Sequence, residues 1–141
     1  MSSAAAALPF ELEIARIREL SESQRHSEAL AAAEALAVEA PENRDVLYLI
    51  AANQRCLHRT SETLQTLQRL EQQEPGYSLL YQERGYCYVT LRDAPRAIDA
   101  FLQAVNLNPA LAASWRMLEQ LYRMMGTLRA QRRQPPPTCV Y

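Results

Sequence analysis

Apolar residues return along this chain at the spacing of a helix. From Pro9, the series Phe10, Ile14, Ile17 and Leu20 with Glu and Arg between them predicts an amphipathic helix ending near Ser21. His26 falls near the turn that follows, and Glu28 to Glu39 reads as an alanine-rich partner helix closed by Pro41. Val46, Leu47, Ile50 and Ala51 form the buried stripe of a third helix, with Asn43 as its cap and Asp45 in the first turn, where the helix dipole favours an acid. Arg59 to Ser61 reads as the next turn, with Thr60 or Ser61 as cap, and Leu64, Leu67 and Leu70 face inward from a fourth helix. Further on, Asp93 is placed to cap a helix whose first turn holds Pro95, where the missing N–H removes no hydrogen bond. Residues 1–8 are expected to be a disordered leader.

The pattern is periodic as well as helical. Prolines stand at 41, 75 and 109, and Tyr81 maps forward onto Trp115 and back onto Leu47 at the same interval. Ala97 maps back through Thr63 to Ala29, and Phe101 through Leu67 to Ala33. The stretch Ser78 to Leu111 carries Tyr81, Gly85, Tyr88, Ala97, Phe101, Ala104 and Pro109 where two helices and a tight turn need a knob, a close contact and small residues. In these residues the chain resembles the tetratricopeptide repeat family, whose period is 34 residues. It departs from that pattern at Arg84, where leucine is usual, at His58, where glycine is usual, and at Thr63, where alanine is usual.

The resemblance implies an all-α fold, a helix-turn-helix solenoid coiled into a right-handed superhelix of about three and a half repeats. The array spans 9–126, with repeats at 10–43, 44–77 and 78–111 and a partial unit at 112–126 that places Trp115, Leu118, Tyr122 and Gly126 at knob, core and turn positions. Residues 127–141 then lose the period, turn rich in Arg and Pro, and read as a disordered tail; a natural tail and an out-of-frame coding sequence both account for it. Without a second helix, Trp115, Leu118 and Tyr122 should leave an apolar flank open, a surface through which a homodimer could form.

Composition narrows the function. Formal net charge is −1 and all fifteen basic residues are arginine, so nothing in the whole-chain balance points to nucleic acid or an anionic membrane. The distribution is uneven: residues 120–141 hold Arg123, Arg129, Arg132 and Arg133 and no acid. No segment approaches the roughly 20 apolar residues of a membrane span, and no signal-peptide pattern opens the sequence; a cytoplasmic location is expected. Cys56, Cys87 and Cys139 offer neither disulfide nor zinc spacing. His26 and His58 are read as solvated turn residues, Gly76, Gly85 and Gly126 are too isolated for a phosphate loop, and no catalytic constellation, cofactor site or metal site is expected.

What remains is a surface. In the family that the chain resembles, first helices line a concave groove that receives a peptide or partner protein. Carried over position by position, that groove comprises Ile14 and Arg18, then Tyr48, Ala52 and Arg55, then Gln82, Tyr86 and Val89, then Arg116, Gln120 and Arg123. One subgroup clamps chaperone C-terminal carboxylates with Lys, Asn and Arg; here Ile14, Leu49, Leu79 and Glu83 stand at those positions, so that ligand is not expected. The run from Pro109 to Gly126 also resembles the N-terminal arrays of bacterial sulfotransferases, which implies an alternative in which the chain is the recognition part of a longer enzyme.

Overall fold

A computed structural model describes residues 2–133, and the side chains of residues 9–127. Seven α-helices make up the described residues: α1 (Ser2–Glu22), α2 (His26–Glu39), α3 (Arg44–Cys56), α4 (Thr60–Gln73), α5 (Ser78–Thr90), α6 (Ala94–Leu107) and α7 (Ala112–Arg133). Helices α2, α4 and α6 start at residues 26, 60 and 94, and α3, α5 and α7 at 44, 78 and 112, so the expected period holds without slippage. Each helix packs on its chain neighbours, and α1, α3 and α5 also touch in succession, the arrangement of a helix-hairpin solenoid.

Local chemistry explains the boundaries. The Asn43 side chain accepts from the N–H groups of Asp45 at 2.9 Å and Val46 at 3.1 Å, as a cap must. Asp93 accepts from the Arg96 N–H at 3.2 Å, with Pro95 in the first turn. The expected cap at Thr60 or Ser61 is not found: Arg59 holds the cap position, and Thr60 is already helical. The reason lies one residue earlier, where His58 has φ of 63° and turns the chain before the hydroxyls arrive. Gln24 and Arg92, with φ of 66° and 57°, stand at the same place in the other hairpins. All three backbones occupy the left-handed region without a glycine to relieve the Cβ clash.

Gly126 is next in that register, and there the expectation fails. The sequence reading makes it a turn, yet α7 runs through it to Arg133. The residues after it, Thr127 to Arg133, contain no proline, and Leu, Arg, Ala and Gln are strong helix formers, so one glycine costing about 1 kcal/mol does not stop the helix. At the other end, α1 begins at Ser2, so residues 2–8 are helical where a leader was expected; the four alanines at 4–7 favour that state. Residues 134–141, with the expected proline-rich tail and Cys139, lie outside the described residues.

Three apolar clusters follow one another along the solenoid. Ile14, Ile17, Ala29, Leu30, Ala33, Leu36, Val46, Leu49 and Ile50 join α1, α2 and α3. Leu47, Ala51, Leu67, Leu70, Leu80, Tyr81, Cys87 and Ala104 join α3, α4, α5 and α6. Ala97, Phe101, Val105, Leu118 and Leu121 join α6 to α7. Leu118 is therefore core and not part of an open flank, because it shares with Ser114 and Leu121 the face of α7 turned toward α6. Trp115 and Tyr122 are about half exposed. Gly85 is where the fold needs a glycine: a Cβ there would lie 2.6 to 2.7 Å from the Phe101 ring.

Candidate functional site: the face of the first helices

Helices α3, α5 and α7 bring a run of expected groove residues onto one face. Tyr48 and Tyr86 are half-buried, and between them lies a charged pair that motif reading did not anticipate. The Arg55 guanidinium binds the carboxylate of Glu83, whose side chain is only 3% exposed. Arg55 also sits 4.6 Å from the centre of the Tyr86 ring, a cation–π distance, and Tyr86 meets Phe101 edge-on at 5.4 Å. Arg55 is thus committed inside the protein and is not a free groove cation, as its position alone had suggested.

Electrostatics follow from that burial. Burial pushes the Glu83 carboxyl above its usual range, against the pull of Arg55. Burial works to lower Arg55, but the Glu83 charge beside it outweighs this and holds the guanidinium cationic. Burial first, and the Glu83 charge second, raise the hydroxyls of Tyr48 and Tyr86 and push the Cys87 thiol up to about 11. Cys87 is an inert core thiol. Arg55 and Arg116 oppose the rise at Tyr86, which places the Arg116 charge close to this cluster.

The other expected groove residues separate into two groups. Ile14 is buried in the first cluster and Val89 packs against the third. Gln82 accepts from the Ser114 hydroxyl at 2.8 Å, a bond that ties α5 to α7. Arg18 lies 3.7 Å from Asp45, and Arg123 bonds Glu119 at 2.6 Å on its own helix. Arg116 and Gln120 are exposed, and among the described residues Arg116 has no carboxylate partner. Tyr77, which the sequence reading passed over, closes the other end of the row: it meets Tyr48 edge-on at 5.9 Å with Arg44 4.7 Å above its ring. Its signal was the aromatic just before an expected first helix.

His26 does not behave as a solvated turn residue. Its Nδ1 lies 2.9 Å from Oδ1 of Asn53, which also accepts from the Ser21 hydroxyl at 3.0 Å. The Asn53 amide nitrogen donates to the Leu49 carbonyl at 2.8 Å, so its oxygen faces the histidine and His26 Nδ1 carries the hydrogen. The imidazole satisfies a fully buried asparagine. Among the described residues no group of three or more His, Cys, Asp or Glu is placed to hold a metal, and no helix is long and apolar enough to cross a membrane.

Comparison with solved structures identifies the fold as a tetratricopeptide-type solenoid. The first such domain of human RPAP3 superposes with a TM-score of 0.75 at 13% identity, over 82% of this chain and 91% of that one. The same domain type from the RPAP3 protein Spaghetti, solved with the HSP90 peptide SRMEEVD, gives 0.73 at 13% identity over the same shares. The Yersinia enterocolitica type III secretion chaperone SycD, solved with a peptide of the translocator YopD, gives 0.70 at 10% identity over 88% of this chain and 95% of that one. No family model matches the chain, and no curated protein matches it. The likeness to sulfotransferase arrays finds no support in these comparisons.

Proposed function

We propose that the protein is a non-catalytic interaction module that holds an acidic peptide segment of a partner protein along the face of α3, α5 and α7. The observation that carries this reading is the row Tyr77, Tyr48, Tyr86 ending at exposed Arg116, whose charge no carboxylate among the described residues neutralises. Aromatic rings supply contact area at low entropic cost, and arginine supplies directional donors for carboxylates. Glu83 does not repel such a ligand, because Arg55 neutralises it from within. Peptides held by the RPAP3 and SycD structures support the peptide class of ligand.

Panning a displayed peptide library on the purified protein tests the reading. Recovered sequences should be rich in Asp and Glu, and Arg116→Glu should weaken them about tenfold, equivalent to about 1.4 kcal/mol. Recovery of neutral or basic peptides that Arg116→Glu leaves unchanged would remove the proposal. A second reading, a homodimer through α7, is favoured by Trp115 and Tyr122, 49% and 51% exposed at the positions where Tyr81 and Tyr88, one unit earlier, pack in apolar clusters that include α6 residues. Sedimentation of the protein and of Trp115→Glu decides it: a concentration-dependent dimer that the substitution abolishes.

A further inference from the structure

The deepest departure from the repeat pattern lies on the side of the molecule away from the tyrosine row. At the junction between the first and second units, Ile50 is part of the first apolar cluster and Ala37 packs against that cluster. One period later the equivalent residues are Arg84 and Glu71, and Arg84 Nη2 donates to Glu71 Oε1 at 2.8 Å. An apolar seam has become an ion pair with a cavity of about 460 Å³ over it. Its walls are Gln68 from α4, Arg84 and Tyr88 from α5, and Arg96, Asp99 and Gln103 from α6.

Its chemistry is two-signed. Arg84 is only 18% exposed and makes a single side-chain bond, while no buried side-chain nitrogen in the described residues lacks a partner. Its remaining N–H groups are therefore not sealed off from solvent, and the residue lines the cavity. Arg96 adds a second guanidinium, 5.9 Å from the Tyr88 ring centre and held by Asp93 at 3.5 Å from outside the lining. On the acid side, Asp99 forms no ion pair among the described residues, and its carboxylate accepts one hydrogen bond there, from the Gln103 amide at 3.5 Å. Two arginines and the carboxylates of Glu71 and Asp99 leave the lining neutral. A lone anion or cation would meet as much repulsion as attraction; a ligand carrying both charges meets neither unpaired.

We propose that this cavity binds a small zwitterion, a free amino acid or a short peptide, with its carboxylate on Arg84, its ammonium on Asp99 and its carbon skeleton along the Tyr88 ring. The cavity volume suits a molecule of that size. The site is separate from the peptide face, so either can fail alone.

The test is an amide-resolved NMR titration of the whole chain with glutamine and with alanyl-glutamine, using acetate and methylammonium as single-charge controls. Saturable shifts at Arg84, Tyr88 and Asp99, with both controls at least about tenfold weaker, are expected, since each lost charged contact costs about a decade in affinity. Tighter binding of the amino acid or of the dipeptide then distinguishes the two sources. Arg84→Ile with Glu71→Ala copies the earlier junction, so it should fold, and it should abolish the shifts. Asp99→Asn, at an exposed position, should weaken binding about tenfold without altering the fold. No saturable shift with either zwitterion, acetate binding as well as glutamine, or shifts that survive both variants would overturn the assignment.

Discussion

Gly85 shows how much one missing atom decides. Its helix passes so close to α6 that the Phe101 ring fills the space of a side chain, with 2.6 Å to an added Cβ. Gly85→Leu should therefore destabilise the fold by about 3 kcal/mol, the upper end of the overpacking range, and lower the thermal midpoint strongly. Gly85→Ala with Phe101→Leu should recover much of that loss; a single Gly85→Leu variant as stable as the parent would show that α5 and α6 do not meet as described. The turn residues give the opposite case. His58 and Arg92 hold positive φ with a Cβ present, and both side chains are exposed. His58→Gly and Arg92→Gly should each stabilise the fold by about 0.5–1 kcal/mol, read as the urea midpoint at constant slope. From the sequence, His58 was legible only as a departure from a glycine pattern and Arg92 not at all; the backbone conformation of neither could be read there.

At the scale of the helix, the pair Arg55 on α3 and Glu83 on α5 locks two successive first helices together. Arg55→Ala leaves a buried carboxylate without its counter-charge and should cost about 3–5 kcal/mol, whereas Arg55→Met with Glu83→Leu should be tolerated, since it removes both charges at once. Denaturant unfolding of the two variants decides it; equal losses would mean that the pair adds nothing specific. Arg55→Ala is for the same reason unsuited to mapping peptide binding. The helices themselves were readable in order and type, because apolar spacing, the Asn43 and Asp93 caps and Pro95 are local signals. The Arg55–Glu83 and His26–Asn53 contacts span 28 and 27 residues, and no local signal announces them. Only the period, applied to where each residue sits between units, could have raised the question.

The whole molecule is a stack, and its stability is a chain of neighbour contacts rather than one centre. The middle of the stack is covered on both sides, while α1 and α7 each meet described helices on one side only. Native-state hydrogen exchange should therefore slow toward α3, α4, α5 and α6 and be fastest in α7 beyond Gly126; uniform protection along the chain would contradict a stacked architecture. Charge is graded along the same axis. Helices α1 and α2 hold seven acids against two arginines, and α7 holds five arginines against one acid. That gradient would orient an acidic peptide toward the α7 end, where Arg116 stands, before any contact is made. The period and the fold class were legible because every unit repeats them; the gradient needed only counting, but its geometric meaning needed the order of the helices in space.

The left-handed residues at 24, 58 and 92 continue in register to a glycine that the helix ignores. That glycine makes the molecule extensible by design. A copy of residues 93–111 grafted after Gly126 would meet a turn position freer of strain than any of the three natural ones. It would also meet an obstacle, because Glu119 occupies the place where Gly85 admits Phe101. Glu119→Gly together with the graft is the smallest change by which this chain could grow by one more hairpin.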